Sequence, residues 1–240
     1  MSLAPLLILG MHRSGTSCLA GCLEAGGLKL GDVNTSATFN KKGNREHERI
    51  RSIHDRLLAS HGYSWDRPPP GQLTWGSEDL DALNLETRVF RDEAFWGLKD
   101  PRTVFCMQGW QRLFEPRMVV TFRHPEAVAA SLVKRSLAWK KPMAREAAIG
   151  LWLAYNSEIL ALVQNCDVQC IRYDCRPDVY QSSVVEIASG LGLDASAAVS
   201  FYSAELIHND SSDLPVPESC APVWDRLKAL SVSNARSMVT

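Results

Sequence analysis

The chain has 240 residues, 45% hydrophobic and 22% charged, the composition of a globular protein large enough to bury one substantial core. Its 26 Lys and Arg against 27 Asp and Glu leave a formal net charge of -1, which excludes a general basic field for nucleic acid or anionic membranes, so any anion site must be local. No apolar run is expected to approach the ~20 residues of a membrane-spanning helix, and the N-terminus lacks the basic region, apolar stretch and cleavage site of a signal peptide, so a cytoplasmic protein is expected.

Pro5–Gly10 is a short continuous apolar run ending in Gly, the pattern of a strand buried on both faces of a parallel sheet. A loop from Met11 to Ser17 follows, then a helical pattern over Cys18–Ala25 closed by Gly26 and Gly27. The seven Cys are an odd number without C-x-x-C spacing, which speaks against a disulfide framework. Cys18 and Cys22, four apart on one helical face, read as small buried hydrophobes, and no metal site is assigned. Ile50, Ile53, Leu57 and Leu58 place a second helix over about Asn44–Ser60.

Between Tyr63 and Gly76 the run from Ser64 to Gly71, with Pro68, Pro69 and Pro70, cannot continue a helix, and its Trp residues suggest a covering flap over Trp65–Gly76. Trp96–Lys99 and Met118–Phe122 read as strands, the first followed by Asp100-Pro101, the second by Arg123-His124-Pro125 opening a helix. A long helix is expected over Ala144–Val163, a last strand over Val168–Tyr173, a last core helix over Val179–Leu191, and an irregular arm from His208 to Pro222. The alternation predicts a P-loop-like α/β three-layer sandwich, a central and mostly parallel sheet flanked by helices, in a single domain over 1–240. In such a sheet ligands bind at the carboxyl ends of the strands, where every polar cluster of this sequence falls.

Gly10-Met11-His12-Arg13-Ser14-Gly15-Thr16-Ser17 has the spacing G-x-x-x-x-G-x-S and matches a phosphate-binding P-loop at each defined position except the Lys, replaced by Thr16. Loop amides and a helix N-terminus still surround an anion without that Lys. The missing cation disfavours triphosphate chemistry, while Arg13 offers a guanidinium suited to bidentate contact with phosphate or sulfate oxygens. A second pair, Arg123 leaving a strand and Ser131 eight positions on, two turns along the helix that Pro125 starts, converges on one phosphate.

His12-Arg13-Ser14-Gly15-Thr16-Ser17 and Arg123 with Ser131 resemble the two signatures of sulfotransferases that use 3′-phosphoadenosine 5′-phosphosulfate (PAPS). Gly97-Leu98-Lys99-Asp100-Pro101-Arg102 is similar to the Lys-Asp-Pro segment of the bacterial and protein-tyrosine branches of that family. The resemblance implies PAPS as donor, its desulfated product PAP, no metal, and His12, Arg13, Ser14, Gly15, Thr16, Ser17, Arg123 and Ser131 as the donor-binding residues. Arg172-Tyr173-Asp174 resembles the family's Arg-Tyr-Glu-Asp segment with one residue missing, and Tyr173 is read as structural. Gly43-Asn44-Arg45-Glu46-His47 resembles its Gly-x-x-Glu-His stretch, which implies Glu46 as the base.

The chemistry so implied is in-line transfer of a sulfuryl group to a hydroxyl or amine, carried by positioning and electrostatics, with Arg13 and Lys99 as cations for the leaving phosphate oxygen. A Glu among several Arg and Lys is by default an ion-pair partner and acts as a base only where a closed site desolvates it. His47 is the rival base, its type titrating near neutrality, and His12 and His124 lie beside the anion sites. Two other classes stay open: an ATP-dependent small-molecule kinase with an unusual cradle, for which Leu98-Lys99-Asp100 is the one Walker-B-like strand end, and a non-catalytic nucleotide-binding relative. The acceptor, whether sugar, lipid, peptide or small metabolite, carries no code in the sequence; Trp65, Trp75, Trp110 and Trp139 serve either to stack on it or to fill the core.

Overall fold

Strand β1 (Leu6–Leu9) is fully buried and lies inside a four-stranded, wholly parallel sheet of order β2-β1-β3-β4, with β2 at Gly97–Lys99, β3 at Arg117–Phe122 and β4 at Gln169–Arg172. The structure is a computed structural model and describes residues 4–38, 40, 42–164, 166–203 and 214–231. Ile8 pairs with Lys99 on one side and Val119 on the other, all in parallel, so the carboxyl ends of the strands lie on the same side of the sheet and form one rim, with β3 and β4 reaching two residues beyond β1. Along β1, Leu7 and Leu9 enter one core and Leu6 and Ile8 the other, which is why the strand is apolar at every position rather than at alternate ones.

The first core is covered by α2 (Glu48–Ser60), α3 (Ser77–Glu86), α4 (Thr103–Leu113), α5 (Pro125–Ala138), α6 (Arg145–Val163) and α9 (Ala221–Ala229). The second lies under α1 (Thr16–Ala25), α7 (Pro177–Gly190) and α8 (Ala195–Ser200), with Cys22 among its buried side chains and Cys18 packed against them. The three-layer α/β sandwich expected from the alternation is the fold observed.

The differences have local causes. Helix α2 starts at Glu48 rather than near Asn44, because Gly43 at φ 80° and Arg45 at φ 54° hold the preceding residues in left-handed backbone. Helices α3 and α4 were not foreseen; the first half of α4 is a continuous buried run, Val104 to Met107, and its exposed polar stripe, Gln108, Gln111 and Arg112, is confined to the second half. Of the arm expected over His208–Pro222, 208–213 lie outside the described residues, and Glu218–Cys220 forms a 3-10 turn that leads into α9. Helix α6 corrects the expectation that no apolar stretch approaches membrane-spanning length: by length and composition alone it is long and apolar enough to cross a membrane. Here it carries Trp152, Tyr155 and Ile159 into the core.

The Tyr63–Gly76 segment is a fixed cover. Gln72 Nε2 donates to the Val104 carbonyl (2.7 Å), Leu73 N to the Phe105 carbonyl (3.0 Å), and Tyr155 Oη to the Trp65 carbonyl (2.8 Å). Trp75 is core, whereas Trp65 lies at the edge of it, against the ring of His12 (4.9 Å between centroids).

Candidate active site

The loop after β1 needs both of its glycines. A Cβ on Gly10 would meet the Thr121 carbonyl at 2.5 Å, and Gly15, at φ 86°, lies so close under the Tyr173 ring that a Cβ would stand 2.3 Å from it. Thr121 Oγ1 donates to the Ser14 carbonyl (3.0 Å), binding the loop to β3. Arg13 itself sits at φ 69°, a conformation that side chains rarely adopt and that marks a position constrained by its surroundings. Helix α1 has no side-chain cap, so the amides of its first turn are disposed toward an anion.

Arg13 crosses to the second motif: its Nε donates to Ser131 Oγ at 2.8 Å. Arg123, buried at the end of β3, donates from Nη1 to the Arg13 carbonyl (3.4 Å) and lies over the Tyr173 ring. Burial leaves both guanidinium groups below their ordinary values, joined for Arg13 by the charge of Arg123 and opposed for Arg123 by Asp174. Two desolvated like charges at one spot are a site that an anion completes. Ser14 Oγ and His12 Nε2 are also buried with no partner among the described residues, groups that phosphate or sulfate oxygens would satisfy. The residues present therefore fit a phosphate or sulfate group.

The segment before α2 is tied to the loop by Ser17 Oγ, which donates to the Asn44 carbonyl (3.0 Å); Ser17 thus positions that segment, while Thr16 is buried at the helix start. Glu46 follows, and its Oε1 accepts from Lys99 Nζ at 2.7 Å, with the Lys99 side chain only 3% exposed. Its other oxygen faces Arg102 Nη1 at 4.0 Å. Arg102 also donates to Asp100 Oδ1 (2.9 Å from Nη1) and Asp55 Oδ1 (2.5 Å from Nε), and these carboxylates outweigh its burial and raise its value. Behind it, Trp110 Nε1 donates to His54 Nε2 (3.1 Å), which assigns the His54 proton to Nδ1, where it meets Asp100 Oδ2 at 2.8 Å. Burial works to raise the Asp100 carboxyl, and Arg102 and His54 overcome it, holding Asp100 well below the usual carboxylate range. Both Asp100 oxygens thus have a partner within the protein.

His47, adjacent to Glu46, turns elsewhere: it packs on Phe90 and lines a separate cavity of about 590 Å³ with Glu24, Asp32 and Glu86. His124 Nδ1 accepts from Glu126 N (3.3 Å) and caps α5. His12 stays at the loop, where burial and then Arg102, Arg135 and Lys99 hold its imidazole well below 6.5. Four contributors were missed in the sequence. Tyr173, read as structural, roofs Gly15 and Arg123, and Asp174 accepts from His124 N (3.0 Å), so the segment after β4 locks both anion motifs together. Arg102 lay inside the quoted Lys-Asp-Pro-Arg stretch, and Arg135 is one helical turn beyond Ser131 on the same face of α5. Trp110 is core, and Trp139 is 49% exposed.

No sequence-family model matches the chain, and no curated protein matches it. Solved structures do. The sulfotransferase domain from the curacin biosynthetic pathway superposes with a TM-score of 0.58 at 14% identity, over 94% of this chain and 98% of that one. The chain has the sulfotransferase fold. A second structure of this fold, the sulfotransferase domain of the Synechococcus PCC 7002 olefin synthase, gives a TM-score of 0.51 at 17% identity, over 98% of this chain and 94% of that one. In this sulfotransferase fold the loop, Lys99, Arg123 and Tyr173 all stand at the carboxyl ends of adjacent parallel strands.

Proposed function

We propose that this chain is a PAPS-dependent sulfotransferase that transfers a sulfuryl group to a hydroxyl by in-line displacement. The observation that carries the reading is the meeting of Arg13, Ser131 and Arg123 at one spot beside the buried Glu46–Lys99 pair. The single sheet with helices on both faces supports one catalytic domain over 1–240.

Bound PAPS supplies an electrophilic sulfuryl group and a phosphate leaving group. The loop amides, Ser14 and Arg13 hold its phosphosulfate end, and Arg123 with Ser131 hold the 3′-phosphate. Lys99 is drawn from Glu46 toward the phosphate, which frees Glu46 Oε1 for the acceptor. Glu46 then takes the hydroxyl proton as the acceptor oxygen bonds to sulfur and the bond from sulfur to the bridging phosphate oxygen breaks. Arg13 and Lys99 meet the negative charge that develops on that oxygen. Arg102, bridging Asp100 and Asp55, keeps Glu46 in place.

Calorimetric titration with PAP, against ATP with and without Mg²⁺, tests this. Micromolar PAP binding that is independent of metal and at least tenfold weaker in Arg123→Ala is expected, a loss of about 1.4 kcal/mol or more. Tight Mg²⁺-dependent ATP binding with no response to PAP would replace the reading with a kinase, and silence toward both would make the chain a non-catalytic relative.

A further inference from the structure

The cations at the strand ends differ in what neutralises them. Lys99 is paired with Glu46, and Arg102 has Asp100 and Asp55 in contact and Glu46 nearby. Arg135 makes no ion pair and no side-chain hydrogen bond among the described residues. Its guanidinium is instead flanked by aromatic rings, with its central carbon 5.3 Å from the centroid of Trp65 and 4.5 Å from that of Trp139. Rings use the faces of a guanidinium and leave its N–H edges, the part that grips an oxyanion bidentately. Burial, then the charges of Arg13 and Arg102 against that of Glu46, push its value down to about 10, as expected of a partly desolvated cation in a surplus of positive charge.

Its place separates it from the donor groups. Arg135 lies one turn, about 6 Å, beyond Ser131 on α5. Trp65 joins it to the loop through His12 on one side, while Trp139 and Leu137, 49% and 62% exposed, bring it to the solvent edge on the other. The charge of Glu46 acts on Arg135, so carboxylate and guanidinium lie near one another, and an acceptor entering past Trp139 and Leu137 would find an apolar surface and both of those groups.

We propose that the acceptor is a hydroxy acid whose carboxylate is held by Arg135 while its hydroxyl meets Glu46; this rests on the sulfotransferase reading and deepens it by naming the substrate class. Arg135 is then a specificity-determining residue.

The test compares 4-hydroxyphenylacetate with 4-hydroxyphenylacetamide, which share the hydroxyl and the ring and differ in the charge, by calorimetry on protein saturated with PAP. The acid is expected to bind at least about tenfold more tightly than the amide, the worth of one charge-assisted contact. Arg135→Ala should remove that preference and keep PAP affinity within about threefold, and Arg135→Lys should restore part of the preference, since a lysine keeps the charge without the fork. The PAP titration of each variant also reports that the site is folded. Equal binding of acid and amide, or no binding of the acid at millimolar concentration, overturns the proposal while PAP binding keeps the donor reading. A tenfold loss of PAP affinity in Arg135→Ala overturns it as well, by giving the guanidinium to the donor. Absence of PAP binding to the unmodified protein is the separate failure of the donor reading, and the acceptor class falls with it.

Discussion

Glu46 and His47 are neighbours in the chain with opposite fates. Glu46 is drawn in by Lys99 and Arg102, and His47 packs against Phe90, so one peptide unit separates a site residue from the wall of another cavity. Glu46→Gln keeps the shape of the side chain and removes its capacity to take a proton. PAP affinity is expected to stay within about threefold while transfer to a hydroxy acid falls by about 10²–10⁴, measured with labelled donor; an unchanged transfer rate would remove Glu46 from the mechanism. Asp100 works one step behind. It is 1% exposed and accepts from His54 and Arg102, so Asp100→Asn leaves Arg102 short of a buried counter-charge and should cost about 3 kcal/mol in urea unfolding. Motif matching named Lys99 and Glu46, but the His54–Asp100–Arg102 relay that steadies them has no signature, because His54 is spaced like any core residue of an amphipathic helix.

Among the elements, the strand–loop–helix around Gly10–Ser17 and the Arg123–Pro125 start of α5 were legible because their geometry is written in contiguous residues: glycines where side chains would collide, a proline where a helix begins. Gly15→Ala combines a φ of 86° with a collision against Tyr173, and is expected to weaken PAP binding at least tenfold by displacing the ring that roofs the loop. A restored affinity in Gly15→Ala with Tyr173→Ala would confirm the collision as the cause. Helices α4 and α9 escaped notice for different reasons, α4 because its first half is a continuous apolar run with the polar stripe of Gln108, Gln111 and Arg112 only in its second half, and α9 because Pro215, Pro217 and Pro222 gave its surroundings the composition of a loop. Yet α9 closes the rim: Trp224 packs on Phe122 (5.5 Å) and His124 (5.2 Å) and lies under Arg172 (4.9 Å). Trp224→Ala should cost about 3 kcal/mol of stability by denaturant titration, through the cavity it leaves beside the end of β3.

For the molecule as a whole, three histidines set the acid side of its stability. Burial is the first cause that lowers His12, His47 and His124, so each stays neutral in the folded chain at pH values where the unfolded chain is protonated. Above about pH 6.5 neither state binds these protons and the three add no pH dependence. As pH falls below it, the unfolded state binds more protons and stability drops, by at most about 1.4 kcal/mol per pH unit for each histidine. Urea unfolding between pH 7 and 5 should show this fall, and His12→Gln should flatten it; a slope unchanged by that substitution would place the proton uptake elsewhere. A net charge of -1 already required any anion site to be local, and Arg13, Lys99, Arg102, Arg123 and Arg135 do gather at one rim of a nearly neutral protein. The amino-acid order alone settled the strands, most of the helices between them and the chemical types placed at the strand ends, since each follows from residues within a turn or two of one another. Folding settled the partnerships: Lys99 with Glu46 across 53 positions, Arg13 with Ser131 across 118, the Tyr173 roof, and the placing of Arg135 between Trp65 and Trp139 with no ion pair among the described residues. Local periodicity encodes which face of an element is buried, whereas the side chain that meets it from a distant element is selected only when the layers pack.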